Sequence, residues 1–426
     1  MPIKHNVLTF ISRVKPEKAD DLRELLKPIQ DVPENNALVP FGKLKGLHFA
    51  SFVLHEPTKD DEKKEYGPYL VFENNFDGTL DSYLDDLHEK AGPGLHQIYG
   101  HCQDYSVKNA GDRPGMQAYL KGHVVRPNAY HIGNTGRGVQ RIIQERDLRD
   151  ALETRADTLL QEGKAGSASE LFDTLKKFVA ADAQFSHLPD PGPRQTFLQR
   201  FLSWINLALQ FALVLAVIVL LLPVVIILAL VLLHKEKTDS VKSGAADDVN
   251  IRRLVESEDH THSVQNHMAS ITIVKDGWLR RLTLWLVLWA VNLLARARAT
   301  HGELSGIPSI HFAHWSMIDG GRRLLFLSNF DGSWENYLDD FIDKAHTGLT
   351  AVWSNTVDFP RTQYLVQGGA TDGPRFKAVA RDSQTVTNAW YSAYRDLTVQ
   401  GIDNNSSIRE DLRGRRPDPQ AWLHRL

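Results

Sequence analysis

Two stretches that lie far apart in the chain have nearly the same sequence. NNFDGTLDSYLDDL spans residues 74–87, and SNFDGSWENYLDDF spans residues 328–341. Shorter matches keep the same order around them, since LHFASFV (47–53) matches IHFAHWS (310–316) and YLVFENNFDG (69–78) matches RLLFLSNFDG (323–332). Matches that keep their order while the loops vary indicate an internal duplication. The chain is therefore predicted to contain two copies of one structural unit.

Each copy is predicted to fold as strand, helix, strand, strand, helix, strand. In the first copy, VLTFISRV alternates as a strand does, and residues 16–29 place their apolar side chains on one helical face. This βαββαβ order is the ferredoxin-like unit of the α+β class. Its antiparallel sheet carries helices on one face only, so two copies can pack sheet to sheet.

This tandem arrangement resembles the dimeric α+β-barrel superfamily, which includes dye-decolorizing peroxidases, chlorite dismutases and small haem-degrading monooxygenases. The resemblance extends over residues 1–150 and 258–412. It implies a haem- or peroxide-dependent oxidoreductase with haem as its cofactor. In the peroxidases, the Asp of a GxxDG motif is a distal acid/base group, and NNFDG and SNFDG keep the Asp-Gly of that motif without its first glycine.

An uncharged apolar run occupies residues 201–233 and contains Pro223. A membrane-spanning helix needs about 20 apolar residues, so this run is predicted to be a membrane segment. One arrangement is a Pro223-kinked hairpin or re-entrant segment that leaves both copies on the cytoplasmic side, and a single span is the alternative. A second apolar helix, predicted at 278–299, is expected to contact the lipid bilayer or to be buried between protein layers.

The rest of the chain divides into three connecting regions. Residues 151–200 are predicted to form a helical linker, residues 234–257 a polar linker, and residues 413–426 a basic tail. The net charge of −3 argues against nucleic acid as a partner, and the single cysteine, Cys102, excludes an intrachain disulfide.

The repeated NFDG motif supplies the candidate catalytic residues Asp77, Asn329 and Asp331. Either aspartate could act as an acid/base group at the mouth of the cleft between the sheets. The alternative is a turn in which Asp bonds its own backbone, Gly takes a positive φ, and the next Ser or Thr caps a helix.

Histidines and aromatic residues supply the candidate ligand-binding residues. His311 is predicted to share a strand face with Ala313 and Trp315, with His314 on the opposite face. Either histidine could ligate haem iron, and His311 could also move protons. Trp390, Tyr391 and Tyr394 could line a pocket for an apolar ligand. Packing in a core is the alternative for all five residues.

The run ESEDHTHSVQNHM (256–268) supplies a candidate metal site at His260, His262 and His267, although its spacing matches no established motif. Two functions remain open. One is a membrane-attached oxidoreductase of the haem or peroxide type with Asp331 and His311 in its site. The other is a non-catalytic, membrane-bound binding or scaffold protein for an apolar or lipid-like ligand. A homo-oligomer is left open in both cases.

Overall fold

The computed structural model describes residues 4–59, 64–185, 197–239, 248–258, 263–298, 306–413 and 417–426. It is a mixed α/β structure with several antiparallel sheets. The strands are β1 His5–Arg13, β2 Leu47–His55, β3 Thr58–Lys59, β4 Glu65–Tyr66, β5 Tyr69–Asp77, β6 Val124–Val125, β7 Ala129–Ile132, β8 Gln265–Ile273, β9 Ile310–Ile318, β10 Arg323–Asp331, β11 Thr362–Gln363, β12 Gln367–Gly368 and β13 Ala389–Ser392.

The helices lie between these strands in the sequence, and several pack on the outer faces of the two larger sheets. Their bounds are α1 Ala19–Asp31, α2 Leu80–Tyr99, α3 Arg113–Gly122, α4 Val139–Gln161, α5 Ala168–Ala181, α6 Phe197–Leu220, α7 Leu222–Thr238, α8 Asp248–Glu258, α9 Trp278–Arg298, α10 Trp334–Trp353, α11 Gly373–Asp382, α12 Val399–Arg413 and α13 Pro419–Leu423.

The two larger sheets exchange strands between the N-terminal and C-terminal halves of the chain. The first sheet has the order β13-β2-β5-β1-β6, and the second has the order β7-β9-β10-β8. Strand β13 comes from the C-terminal half and pairs with β2, with Ala389 opposite Phe52. Strand β7 comes from the N-terminal half and pairs with β9, with Ala129 opposite Trp315. Each sheet is therefore completed by a strand from the other half.

The two sheets also pack against each other through apolar side chains. Val53 and Val71 of the first sheet form one buried cluster with Leu325 and Leu327 of the second. Each sheet buries its other face under helices, as in the first half, where the rings of Phe52 and Phe72 stack with their centroids 4.2 Å apart. The molecule thus has an inter-sheet layer between two helix–sheet cores.

The prediction of a membrane segment at 201–233 is wrong. The run is divided between α6 and α7, because the helix breaks at Leu221 before Pro223. Within the described residues, the structure contains no helix with both the length and the apolar content needed to cross a membrane.

Helix α9 corresponds to the predicted apolar helix at 278–299. It packs Leu284 and Leu288 into the core of the second half, while Trp285 stays about half exposed. Arg280, at its start, is buried and forms an ion pair with Asp239 at 2.6 Å. The expectation that this helix is buried in protein therefore holds for one of its faces.

The predicted linker and tail pack against each other. Helices α4 and α5 form a cluster with α12 and α13, in which Trp422 of the tail is buried beside Phe172. A second contact joins α4 to α12, where the buried carboxylate of Glu145 accepts a hydrogen bond from Arg409 at 2.7 Å. The C-terminal segment is thus partly folded onto the helical linker.

Candidate functional site

Two histidines are positioned by bulges at equivalent places in the two sheets. In β2, Leu47 lies opposite Phe76 and Phe49 lies opposite Asn75, which leaves His48 as an extra residue. In β9, the same irregularity leaves His311 as the extra residue. A bulge re-aims a side chain and shifts the alternation of the strand after it.

Because of the bulge, the predicted direction of the His311 side chain is wrong. Its ring lies 5.2 Å from that of Phe49, whereas Ala313 and Trp315 belong to the helix–sheet core on the other face. His314 also points toward the first sheet, since its Nε2 atom lies 3.0 Å from Thr9 Oγ1. The two histidines therefore point to the same side of the second sheet, contrary to the strict alternation predicted.

The first histidine belongs to a cluster at the end of β5. Asp77 Oδ1 lies 3.0 Å from His48 Nε2 and 2.9 Å from His5 Nδ1. Asp77 Oδ2 accepts a hydrogen bond from the backbone N–H of Val139 at 2.9 Å, at the first residue of α4. On its other side, His48 Nδ1 lies 2.8 Å from the hydroxyl of Tyr394. The cluster joins a strand end, a helix start and the C-terminal half.

The pKa shifts of three groups in this cluster favour an ionised carboxylate beside neutral partners. Burial opposes ionisation of Asp77, but the hydrogen bond from His48 and the close contact with His5 hold the pKa of this carboxyl below its usual range. Burial lowers the pKa of His48, and burial raises the pKa of Tyr394. At neutral pH, the arrangement is therefore an ionised aspartate beside a neutral His48 and a neutral tyrosine.

A second cluster, at the end of β10, has the same arrangement except that a glutamine replaces one histidine. Asp331 Oδ1 lies 2.7 Å from His311 Nε2, and Asp331 Oδ2 accepts a hydrogen bond from the N–H of Val399 at 2.8 Å. Gln265 occupies the place that His5 has in the first half, because each pairs with the aspartate of its own sheet. The predicted residues His311 and Asp331 are thus brought into direct contact.

The NFDG segments have features of a structural turn, but their aspartates also make contacts with distant residues. Gly78 and Gly332 have positive φ values of 98° and 80°, as the turn interpretation requires. Thr79 and Ser333 cap the helices that follow by accepting backbone N–H groups. The aspartates, however, bond the histidines and the first N–H group of α4 or α12 rather than their own backbone. Each aspartate therefore has a tertiary role that turn chemistry alone does not predict.

A second polar group lies between the sheets and is centred on the fully buried Glu73. This carboxylate accepts hydrogen bonds from the hydroxyl of Ser51 at 3.1 Å and from the amides of Asn75 and Asn329 at 2.9 and 3.1 Å. His267 Nε2 lies 2.9 Å from Glu73 Oε2. Four neighbouring groups thus replace the water that a carboxylate would otherwise require.

The pKa values in this layer follow from burial and contact. Burial alone would raise the pKa of Glu73, but its hydrogen bonds, led by that with His267, lower the value to about 2. Burial lowers the pKa of His314 to about 4, although Glu73 nearby acts in the opposite direction. Burial likewise lowers the pKa of His55 to about 3. An ionised Glu73 is therefore accompanied by two neutral histidines at pH 7.

Several predicted site residues are committed to packing and hydrogen bonds. The indole N–H of Trp390 donates to Asn329 Oδ1 at 2.9 Å, and the ring of Tyr391 stacks on Phe41 with centroids 5.5 Å apart. Asn329 therefore supports Glu73 and Trp390. The three aromatic residues Trp390, Tyr391 and Tyr394 are all buried in core clusters.

The predicted metal site lies mostly outside the part of the chain that the structure describes. His260 and His262 lie outside the described residues, and His267 contacts Glu73 and Thr387 instead. Among the described residues, the group whose atoms could hold a metal ion consists of His5, His48 and Asp77, with the three donor atoms all within 4.8 Å of one another.

If the site of His311 and Asp331 lay between the sheet and the helices of the second half, haem would not fit there. The cavity between sheet and helices of the second half has a volume of about 20 Å³. Small-molecule and cofactor sites usually need about 300 Å³ or more. In addition, His311 Nε2, one of the two nitrogens that could bind iron, is directed at Asp331. The surroundings of His311 support a packed histidine–aspartate pair.

A much larger opening lies at the other end of the sheets, where the two halves and α8 meet. Its volume is about 970 Å³. We call it the inter-half cleft, and its charged or hydrogen-bonding lining residues are Asp20, Arg23, Lys27, His55, Glu56, Thr58, Asn250, Arg253, Glu256, Arg323, Asp382, Ser383, Gln384, Thr385 and Asn388. None of the residues predicted as catalytic from the sequence lines it.

Sequence reasoning missed His5 and Glu73. Glu73 could have been found, because it is a charged residue inside the otherwise apolar strand YLVF-E-NNF, and such a residue is buried only with partners. His5 carried no comparable signal, since a histidine near a chain end is ordinarily exposed. Comparisons with protein-family models, curated proteins and solved structures found no match.

Proposed function

We propose that the chain consists of two duplicated ferredoxin-like units, packed sheet to sheet, that together form a binding protein for a small polar ligand. The duplication is supported by the matching plans around Asp77 and Asp331, which include the bulged histidine, the capped helix and the aspartate bond to a following helix. The exchange of β7 and β13 supplies a reason for joining the units in one chain, because each sheet needs the other unit.

The inter-half cleft is the single observation that carries the binding function. Its volume of about 970 Å³ lies within the range of small-molecule sites. Its position between two units is one that ligand sites commonly occupy. The histidine–aspartate pairs lie at the opposite ends of the strands, so the proposal does not include catalysis by them.

The lining of the cleft indicates the chemistry of the ligand. Three of its cationic groups are already engaged, since Arg23 pairs with Glu56, Lys27 pairs with Glu24, and Arg323 is buried against Asp319. Arg253, Glu256 and Asp382 also line the walls, with amide and hydroxyl groups between them. Wall groups of both signs fit a ligand that carries both signs of charge, such as an amino acid or a short peptide. The apolar ligand expected from the sequence does not match this lining.

A ligand panel tests the proposal. The full chain is heated with and without amino acids, dipeptides, dicarboxylates, sugars and fatty acids, and its unfolding temperature is recorded. A ligand that binds only the folded state raises that temperature in a concentration-dependent way. We expect stabilisation by zwitterionic members of the panel. Stabilisation by fatty acids alone, or by no member, would refute the proposed ligand class.

A further inference from the structure

We propose that His5, His48 and Asp77 bind one divalent transition-metal ion, with Zn²⁺ as the probe. The three side chains present two imidazole nitrogens and one carboxylate oxygen, a donor set that such ions accept. All three side chains are largely buried, with exposed fractions of 5% for His5, 1% for His48 and 18% for Asp77. This site is separate from the inter-half cleft and does not depend on the function proposed for it.

The relative positions of the three donor atoms support this site. His5 Nδ1 lies only 2.9 Å from Asp77 Oδ1, yet it forms no aligned hydrogen bond with any group. Two atoms that ligate the same ion come this close while their lone pairs point to the ion rather than to each other. An unaligned short contact between a ring nitrogen and a carboxylate is therefore expected where a metal ion binds.

The hydrogen bonds that His48 and Asp77 make with other residues also suit metal binding. Tyr394 lies 2.8 Å from His48 Nδ1, where the hydroxyl can accept the ring proton and leave Nε2 free for a metal ion. The N–H of Val139 holds Asp77 Oδ2, so that Oδ1 is the oxygen turned toward the histidines. Such contacts fix the tautomer and the orientation of metal ligands.

Metal binding by the third ligand, His5, requires the loss of one of its hydrogen bonds. His5 Nε2 accepts a hydrogen bond from the N–H of Gly136 at 2.8 Å, which places the ring proton on Nδ1 in the metal-free protein. Metal binding through Nδ1 must move this proton to Nε2 and break the bond to Gly136. Gly136 is exposed, so water can accept the hydrogen bond of its N–H group once His5 no longer does.

The second half supplies an internal comparison. Gln265 replaces His5 there, and its amide group is bonded to Ser392 and to the carbonyl oxygen of Tyr394. Among the described residues at that end, His311 and Asp331 remain as strong donors. The proposal therefore assigns a metal ion to the first half alone.

The test uses the full chain without an affinity tag, freed of metal with a chelator and titrated with Zn²⁺ against a colorimetric chelator. We expect one strongly bound ion per chain in the wild type. His5→Gln reproduces the composition of the second half and should weaken that ion by at least about tenfold. His424→Gln, at an exposed histidine of the tail, is the control and should leave the affinity unchanged.

Two further results decide the matter. Gln265→His should add a second ion, provided that circular dichroism shows an unchanged fold. Equal affinity of the wild type and folded His5→Gln would overturn the proposal, and so would the absence of any strongly bound ion. In either of these cases, the three residues form a packed polar cluster that does not bind metal. Loss of ligand binding in the inter-half cleft would leave this result unaffected.

Discussion

The Nε2 atom of His267, on the second sheet, lies 2.9 Å from the Oε2 atom of Glu73, on the first. This contact joins the two halves through the middle of the inter-sheet layer, where both side chains are nearly inaccessible to solvent. A buried carboxylate whose partners are all in place holds its surroundings in one arrangement. The contact therefore couples the packing of the sheets to the protonation of the layer.

Replacement of Glu73 by Gln should destabilise the whole molecule. The neutral amide cannot accept all four hydrogen bonds, and it leaves buried donors without an acceptor. We expect a loss of about 3 kcal/mol in the free energy of unfolding, measured in urea. Glu65→Gln, at an exposed strand position, is the matched control and should change stability by less than about 0.5 kcal/mol. Equal stability of the two variants would show that Glu73 contributes nothing.

Stability should fall as the pH drops below about 6.5. Burial lowers the pKa of His314 from 6.5 to about 4, so the unfolded chain binds a proton between these values that the folded chain does not. The free energy of unfolding then decreases as pH falls through this window. His55 acts in the same direction down to about pH 3, and Glu73, with its lowered pKa, adds to the loss below pH 4.5.

His314→Gln isolates one part of this acid sensitivity. Removing the titrating ring should reduce the slope of stability against pH between 6.5 and 4 by about 1 kcal/mol per pH unit, the effect of about one proton. His424→Gln provides the comparison at an exposed position. Urea unfolding at a series of pH values measures both slopes, and an unchanged slope in His314→Gln would contradict the assignment.

The exchange of strands predicts a strong response to a small change at Gly133. A methyl group there would lie 2.3 Å from the carbonyl oxygen of Ile310, which is backbone and cannot turn aside. Gly133→Ala should therefore lower the free energy of unfolding by about 2 kcal/mol and open the β7–β9 pair. Gly122→Ala meets open space and serves as the control. Amide hydrogen exchange on β9 would show the opening, and normal protection in Gly133→Ala would argue against the pairing.

The element order and the helix starts could be predicted because they depend on local chemistry. Thr79 and Ser333 cap helices where the sequence places a small hydroxyl residue after Asp-Gly. The direction of His311 could not be predicted, because one extra residue in a strand moves all later side chains to the other face. The sequence pattern contains no sign of that insertion.

The strand exchange and the buried Glu73 network depend on contacts between distant residues. A short strand such as β13 has the same local pattern whether it pairs with its own sheet or with another, so its pairing with β2 was not foreseen. The fate of the apolar run at 201–233 also depends on more than its local composition. Its length and apolar content suggested a membrane segment, whereas the chain divides it at Leu221, beside the kink expected at Pro223, between α6 and α7.

The central claim is that the inter-half cleft binds a small zwitterionic ligand, and calorimetric titration of matched variants tests it most directly. The best ligand of the panel is titrated into the wild type, Arg253→Ala and Arg252→Ala, which differ at neighbouring positions of α8. Arg253 lines the cleft and Arg252 does not. We predict that Arg253→Ala weakens binding by about tenfold, whereas Arg252→Ala binds as the wild type does. Equal affinity of all three proteins would contradict the account.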